Sequence, residues 1–153
     1  MKTIFIVDDS DINLATAEGA LENHYRVMTL PSAPGMFNML EKVFPDLILL
    51  DIEMPEMNGF EALKRLKSHY LYESIPVIFL TSHTDSNTEA KGFEMGVVDF
   101  IAKPFSTPVL LNRIKLHLDI DTIIHEQTFQ LQKHRCIRQH TLQMQQKHQL
   151  LHH

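Results

Sequence analysis

The chain has 153 residues, 44% hydrophobic and 22% charged, with a formal net charge of −5. That length suits one domain with an appendage, and an acidic balance without a long Lys/Arg run gives no reason to expect nucleic-acid binding through a basic patch. Cys136 is the single cysteine, so no intrachain disulfide forms and nothing points to an oxidising compartment.

The chain opens on a strand over about 2–7, containing Ile4-Phe5-Ile6-Val7. This run is too short for the apolar region of a signal peptide and leads straight into acids. No later apolar stretch approaches the ~20 residues that span a bilayer, so the expected location is the cytoplasm, away from membranes. A helix follows over about 11–22, with Ser10 as its N-cap. A strand near 25–30 precedes a helix near 35–43, with Pro31, Pro34 and Gly35 between them. The strand at 46–51 (Leu47-Ile48-Leu49-Leu50-Asp51) leads through a Pro55/Gly59 loop to a helix that spaces Phe60, Leu63, Leu66 and Lys67 amphipathically. The strand at 76–81 precedes a more polar helix near 86–95, closed by Gly96. The strand at 97–102 ends at Lys103-Pro104, and the last helix begins near Thr107. Short apolar runs alternating with helical periodicity predict a doubly wound α/β fold, with a parallel sheet and helices on both faces.

All five Gly and all seven Pro fall at or before Pro108, and seven of the ten His lie from His117 onward. Residues 1–120 therefore read as a globular domain and 121–153 as a C-terminal helical extension or linker. On that helix Leu116, Ile123, Gln130, Ile137, Met144 and Leu151 share one heptad line, and Ile120, Gln127, His134, Thr141 and His148 share another. One apolar seam beside a polar one makes a poor two-stranded coiled coil, because both core positions should be apolar. A context-dependent linker helix, a parallel dimer and an antiparallel pairing all remain open. The terminal His152-His153 pair is assigned no role.

The strand ends carry the chemistry. Asp8 and Asp9, Asp51, Thr81 and Lys103 each follow an apolar run, and the carboxyl ends of parallel strands share one edge where ligands bind. Three carboxylates brought together repel unless a cation neutralises them or one is protonated. Mg²⁺, a hard ion that takes oxygen ligands and keeps several waters, suits such a nest. A carboxylate can attack phosphorus to give an acyl phosphate, and such transfer is mostly positioning and charge neutralisation. Asp51 is then the candidate nucleophile, with Lys103 and the Thr81 hydroxyl facing the phosphoryl oxygens. Taken singly, each residue has an ordinary reading as a cap, a turn acid or a solvated strand-end lysine.

Four motifs in order, Val7-Asp8-Asp9-Ser10, Leu49-Leu50-Asp51-Ile52-Glu53-Met54-Pro55-Glu56-Met57-Asn58-Gly59, Leu80-Thr81-Ser82 and Phe100-Ile101-Ala102-Lys103-Pro104-Phe105, resemble the receiver domain of two-component response regulators. The resemblance covers about 1–120. It implies a flavodoxin-like five-stranded sheet in order 2-1-3-4-5, and Mg²⁺ held by Asp9, Asp51 and the Glu53 backbone carbonyl, with Asp8 acting largely through water. It further implies a cis Lys103-Pro104 bond and phosphoryl transfer to Asp51 from a sensor histidine kinase or phosphotransfer protein. Thr81 and Phe100 become the switch residues that alter the surface of the fourth and fifth helices, the face implied to meet a partner, an output domain or a second copy of the chain. Glu53 and His83 sit two residues beyond Asp51 and Thr81, as tuners of phosphoryl lifetime or as ordinary solvent-facing residues. The chain is then a signalling switch that catalyses its own modification, with no turnover substrate.

Two other classes compete. Asp9-Ser10-Asp11 after a first strand is similar to the start of a haloacid-dehalogenase-type phosphatase. Asn13 departs from that pattern, however, and Asp51 would have no role. A non-phosphorylated dimerisation module on the same fold leaves the five-residue site unexplained. A flavin site fails because the first loop presents carboxylates where a phosphate needs backbone donors.

Overall fold

The computed structural model describes residues 1–83 and 85–151, so the terminal His152-His153 pair lies outside the described residues. Five strands, β1 (Thr3–Val7), β2 (Arg26–Leu30), β3 (Leu47–Asp51), β4 (Val77–Thr81) and β5 (Asp99–Ala102), alternate with helices α1 (Asp11–Leu21), α2 (Ala33–Leu40), α3 (Gly59–Lys67), α4 (Ser86–Glu94) and α5 (Thr107–Leu151). The sheet order is β2-β1-β3-β4-β5, as expected, and every pairing is parallel.

The period-two pleat of the central strands divides the core between the two faces. Phe5, Val7, Ile48, Leu50 and Phe79 face a layer holding Met36 of α2 and Ala62, Leu63 and Leu66 of α3. Ile4, Ile6, Leu47, Leu49, Ile78 and Leu80 face Leu14, Ala17 and Leu21 of α1 and Leu110, Ile114 and Leu118 of α5. Because β1, β3 and β4 are covered on both sides, each reads as an unbroken apolar run. All five residues of each are buried.

Local signals act where the chemistry predicts. Ser10 caps α1 by accepting from the Asn13 amide at 3.3 Å, and Gly96 follows α4 at φ +104°. Two boundaries differ from the sequence expectation. α2 starts at Ala33, so Pro34 and Gly35 lie inside its first turn; Ser32 is the N-cap, accepting from the Gly35 amide at 3.1 Å. Proline suits that position because the first-turn amides have no intrahelical acceptor. The helix stops at Leu40 because the amides of Lys42 and Val43 both turn back to the Met39 carbonyl. β5 begins at Asp99 rather than 97, because the Val97 amide is spent on the Gly92 carbonyl of α4.

The chain divides into two units, Met1–Leu118 and Asp119–His153. Among the described residues of the second unit every position is helical, and all but Asp121 are exposed. Among the described residues no helix is long and apolar enough to cross a membrane.

Candidate functional site

Register sets the site. Val7 lies beside Leu50, Asp51 beside Leu80, and Thr81 beside Ala102, so each of these strands finishes within one residue of its neighbour. The ladder runs one step further, the Lys103 amide donating to the Thr81 carbonyl at 2.8 Å. Asp8 and Asp9 leave β1, Asp51 closes β3, Thr81 closes β4 and Lys103 follows β5 at this common edge. The Lys103-Pro104 peptide is cis.

Carboxylate oxygens of Asp8, Asp9 and Asp51 all lie within 4.8 Å of one another. Asp8 and Asp51 are buried and Asp9 is exposed, so the nest is closed beneath and open above. The Lys103 ammonium reaches in from the side, 2.7 Å from Asp51 Oδ1 and 2.9 Å from Asp8 Oδ2. Asp8 is held further by the Ser10 amide, which donates to Oδ1 at 2.9 Å, and by Asn13 Nδ2, which donates to Oδ2 at 3.3 Å.

Three carboxylates thus share one ammonium, and the titration of the pair reflects it. Burial pushes Asp51 up to about 6; the Lys103 hydrogen bond opposes this, while the Asp8 charge and a hydrogen bond with Asp9 add to it. For Lys103 burial favours the neutral amine, yet the hydrogen bonds it donates to Asp51 and Asp8, together with their negative charge, outweigh burial and hold its pKa above the ordinary value. An all-oxygen cluster short of positive charge fits a hard divalent cation such as Mg²⁺. The donor set therefore suits the metal that the resemblance implies.

Around this nest, the Thr81 hydroxyl donates to the His83 carbonyl at 2.7 Å and accepts from the His83 amide at 2.9 Å. It is engaged with its own loop rather than with Asp51. His83 Nε2 lies 3.0 Å from Glu53 Oε1, both side chains about two-thirds exposed, so this contact links the loop after β3 to the loop after β4. Phe100 is half-buried, with edge-on contacts to Phe79 at 5.6 Å and Phe93 at 5.1 Å between ring centroids.

Three features escaped the sequence reading. The Glu53–His83 pair was not anticipated, although each residue was singled out alone. Asn13, read only as a departure from a phosphatase pattern, anchors Asp8. Gly59 packs so tightly under the loop after β3 that an added Cβ would lie 2.5 Å from the Asp51 carbonyl oxygen and 2.7 Å from Ile52 Cα. Its amide donates to the Ile52 carbonyl at 2.7 Å. A glycine eight residues after a strand-end acid is the signal that could have revealed this close approach. The phosphatase alternative loses its support: Asp11 heads α1 as an exposed residue outside the acidic cluster, while Asp51 belongs to it.

Comparison with known proteins agrees with this geometry. The response regulator receiver domain matches residues 4–115. A protein of Vibrio cholerae named "Probable cyclic di-GMP phosphodiesterase" is 43% identical over 116 residues, which cover 76% of this chain and 26% of that protein. Response regulator PleD of Caulobacter vibrioides is 32% identical over 124 residues, covering 80% of this chain and 27% of PleD. The chain thus spans about a quarter of the length of these curated relatives. The crystal structure of a response regulator receiver domain protein (CheY-like) from Methanospirillum hungatei superposes with a TM-score of 0.72 at 31% identity, covering 80% of this chain and 97% of that one. Strand order, acidic nest and family match converge: the chain belongs to the response regulator receiver domains of two-component signalling systems.

Proposed function

We propose that this receiver accepts a phosphoryl group on Asp51 from a phosphohistidine of a sensor kinase or phosphotransfer protein, and that the change it undergoes there controls a partner or an output domain. In that step an Asp51 carboxylate oxygen forms a bond to phosphorus while the N–P bond of the phosphohistidine breaks, its electron pair returning to the imidazole. The observation that carries this reading is the Lys103 ammonium poised between two buried carboxylates beside a third. Asp9 and Asp51 side chains and the Glu53 carbonyl would hold Mg²⁺, with Asp8 acting through water and through Lys103. When bound, the metal supplies positive charge against the phosphoryl oxygens.

Lys103 keeps one oxygen of Asp51 oriented and meets the incoming negative charge. Phosphorylation replaces a single negative charge by nearly two and adds acceptor oxygens. Thr81 then has a stronger acceptor than the His83 carbonyl, and turning towards it releases the loop that begins at His83. Phe100 follows into the vacated space, changing the surface of α4 and α5. Glu53 and His83 tune the lifetime of the phosphoryl group: their 3.0 Å contact joins the two loops that follow Asp51 and Thr81. If Glu53→Ala and His83→Ala each leave dephosphorylation unchanged within about a factor of two, a size typical of surface pairs of little worth, this tuning role is wrong.

The relative named for cyclic di-GMP phosphodiesterase supports an output that acts on cyclic dinucleotides in a longer chain. The transfer itself is tested with acetyl phosphate and Mg²⁺. Phosphate incorporation that hydroxylamine removes, and that EDTA prevents, is the expected result; incorporation that is resistant to hydroxylamine or indifferent to EDTA contradicts the proposal.

A further inference from the structure

Little apolar surface holds α4 to the rest of the receiver. Among its described residues Gly92 alone is buried, and the run Ser86-Asn87-Thr88-Glu89-Ala90-Lys91 before it is polar apart from one alanine. An element with so little burial opens at low cost unless specific contacts dock it. Three consecutive residues supply those contacts. Lys91 places its Nζ 4.2 Å from the centroid of the Phe60 ring on α3. Gly92 faces Phe100 so closely that an added Cβ would lie 2.5 Å from Cζ, and Phe93 meets the same ring edge-on at 5.1 Å. Phe60 and Phe100 both lean edge-on against Phe79, which is fully buried in β4. The helix thus rests on two rings that share one wall.

The two rings are held differently. Phe60 directly follows Gly59, whose amide donates to the Ile52 carbonyl at 2.7 Å and which abuts the Asp51 backbone. Asn58 and Glu61 close a capping box around the same turn. Phe60 is therefore a fixed post on α3, whereas Phe100 is the ring assigned to move. No ion pair among the described residues involves Lys91, so the ring face is the partner of its charge.

We infer that Lys91 and Phe60 form a tether that keeps α4 docked in the unmodified chain, and that both are positioning residues of the switch. A departure of Phe100 loosens α4 at Gly92 and Phe93 and leaves the cation–π contact to resist its displacement. The tether is a property of the unmodified chain, while its part in switching rests on the coupling of Asp51 to α4 proposed above. By linkage, a looser α4 then favours the phosphorylated form.

The test uses the full chain. In NMR spectra the Lys91 Hε resonances should lie upfield under the Phe60 ring current and return to ordinary positions in Phe60→Leu. Hydrogen exchange of the α4 amides, measured without phosphodonor, should quicken about two- to fivefold in Lys91→Met and in Phe60→Leu, the equilibrium factor of an exposed cation–π contact. Lys91→Arg, which keeps a cation for the ring, should retain the parent rate, and the double variant should exchange no faster than either single one. With acetyl phosphate and Mg²⁺, Lys91→Met should also be phosphorylated faster by a similar factor. Parent-like exchange in Lys91→Met, an arginine variant as loose as the methionine one, or additive effects in the double variant would overturn the tether. Faster exchange with unchanged phosphorylation upholds the tether and contradicts the coupling of α4 to Asp51 instead.

Discussion

Lys103 holds one positive charge against two buried carboxylates, and the consequences of removing it are the sharpest at the residue scale. Lys103→Met keeps the apolar stem and deletes the ammonium, leaving Asp8 and Asp51 to repel. Rapid-mixing kinetics with a small phosphodonor should show transfer slowed by about 10²-fold, the cost typical of losing a preorganised electrostatic contact. Asp99 is a second residue with a distinct signature. Arg113 Nη1 donates to its two oxygens at 2.8 and 2.7 Å, and His117 Nε2 lies 2.9 Å away. Burial raises the Asp99 pKa, but the Arg113 and His117 hydrogen bonds outweigh it and hold the carboxyl below its ordinary value. A depressed folded-state pKa contributes stability above the unfolded value, near 3.9, and loses it as pH falls through the folded value. Urea titrations should therefore show Asp99→Asn less stable than the parent by about 1–2 kcal/mol at neutral pH, typical of a hydrogen bond to a charged group. That difference should shrink below about pH 4.

At the scale of elements, two glycines fix how helices and loops meet the site. Gly59 begins α3 against the backbone of Asp51 and Ile52, where neither partner is the end of a flexible side chain. Gly59→Ala should cost about 1–3 kcal/mol in chemical denaturation, as overpacking does, and slow phosphorylation by displacing Asp51. Gly92 of α4 is different, since an added Cβ would lie 2.5 Å from Phe100 Cζ, the tip of a side chain that can move. Gly92→Ala should displace the Phe100 ring with a smaller loss of stability, and ring resonances of Phe100 in NMR spectra should shift without phosphorylation. Unshifted resonances would detach Phe100 from the α4 surface.

Legibility in the sequence also differs between elements. Strands buried on both faces read as continuous apolar runs, so the ends of β1, β3 and β4, and with them Asp8, Asp51 and Thr81, are placed correctly from the sequence. The α2 boundary differs because Pro34 reads as loop punctuation in the sequence, although proline is equally at home in a first helical turn. β5 is misjudged because Val97 has strand-like chemistry but spends its amide on α4. The Glu53–His83 contact joins two loops whose approach depends on tertiary structure, and no spacing rule encodes it. Nor does the sequence tell that the Thr81 hydroxyl faces the His83 backbone.

At the scale of the whole molecule, a receiver built on a common strand edge is joined to a long C-terminal helix, and relatives about four times as long carry further sequence. The central claim concerns a single carboxylate. Intact-mass spectrometry after incubation with Mg²⁺ and acetyl phosphate tests it most directly. The chain should gain one phosphoryl group, and Asp51→Asn should gain none. An unmodified parent chain, or an Asp51→Asn variant that takes up phosphate as readily as the parent, would contradict the assignment of Asp51 as the phosphoryl acceptor.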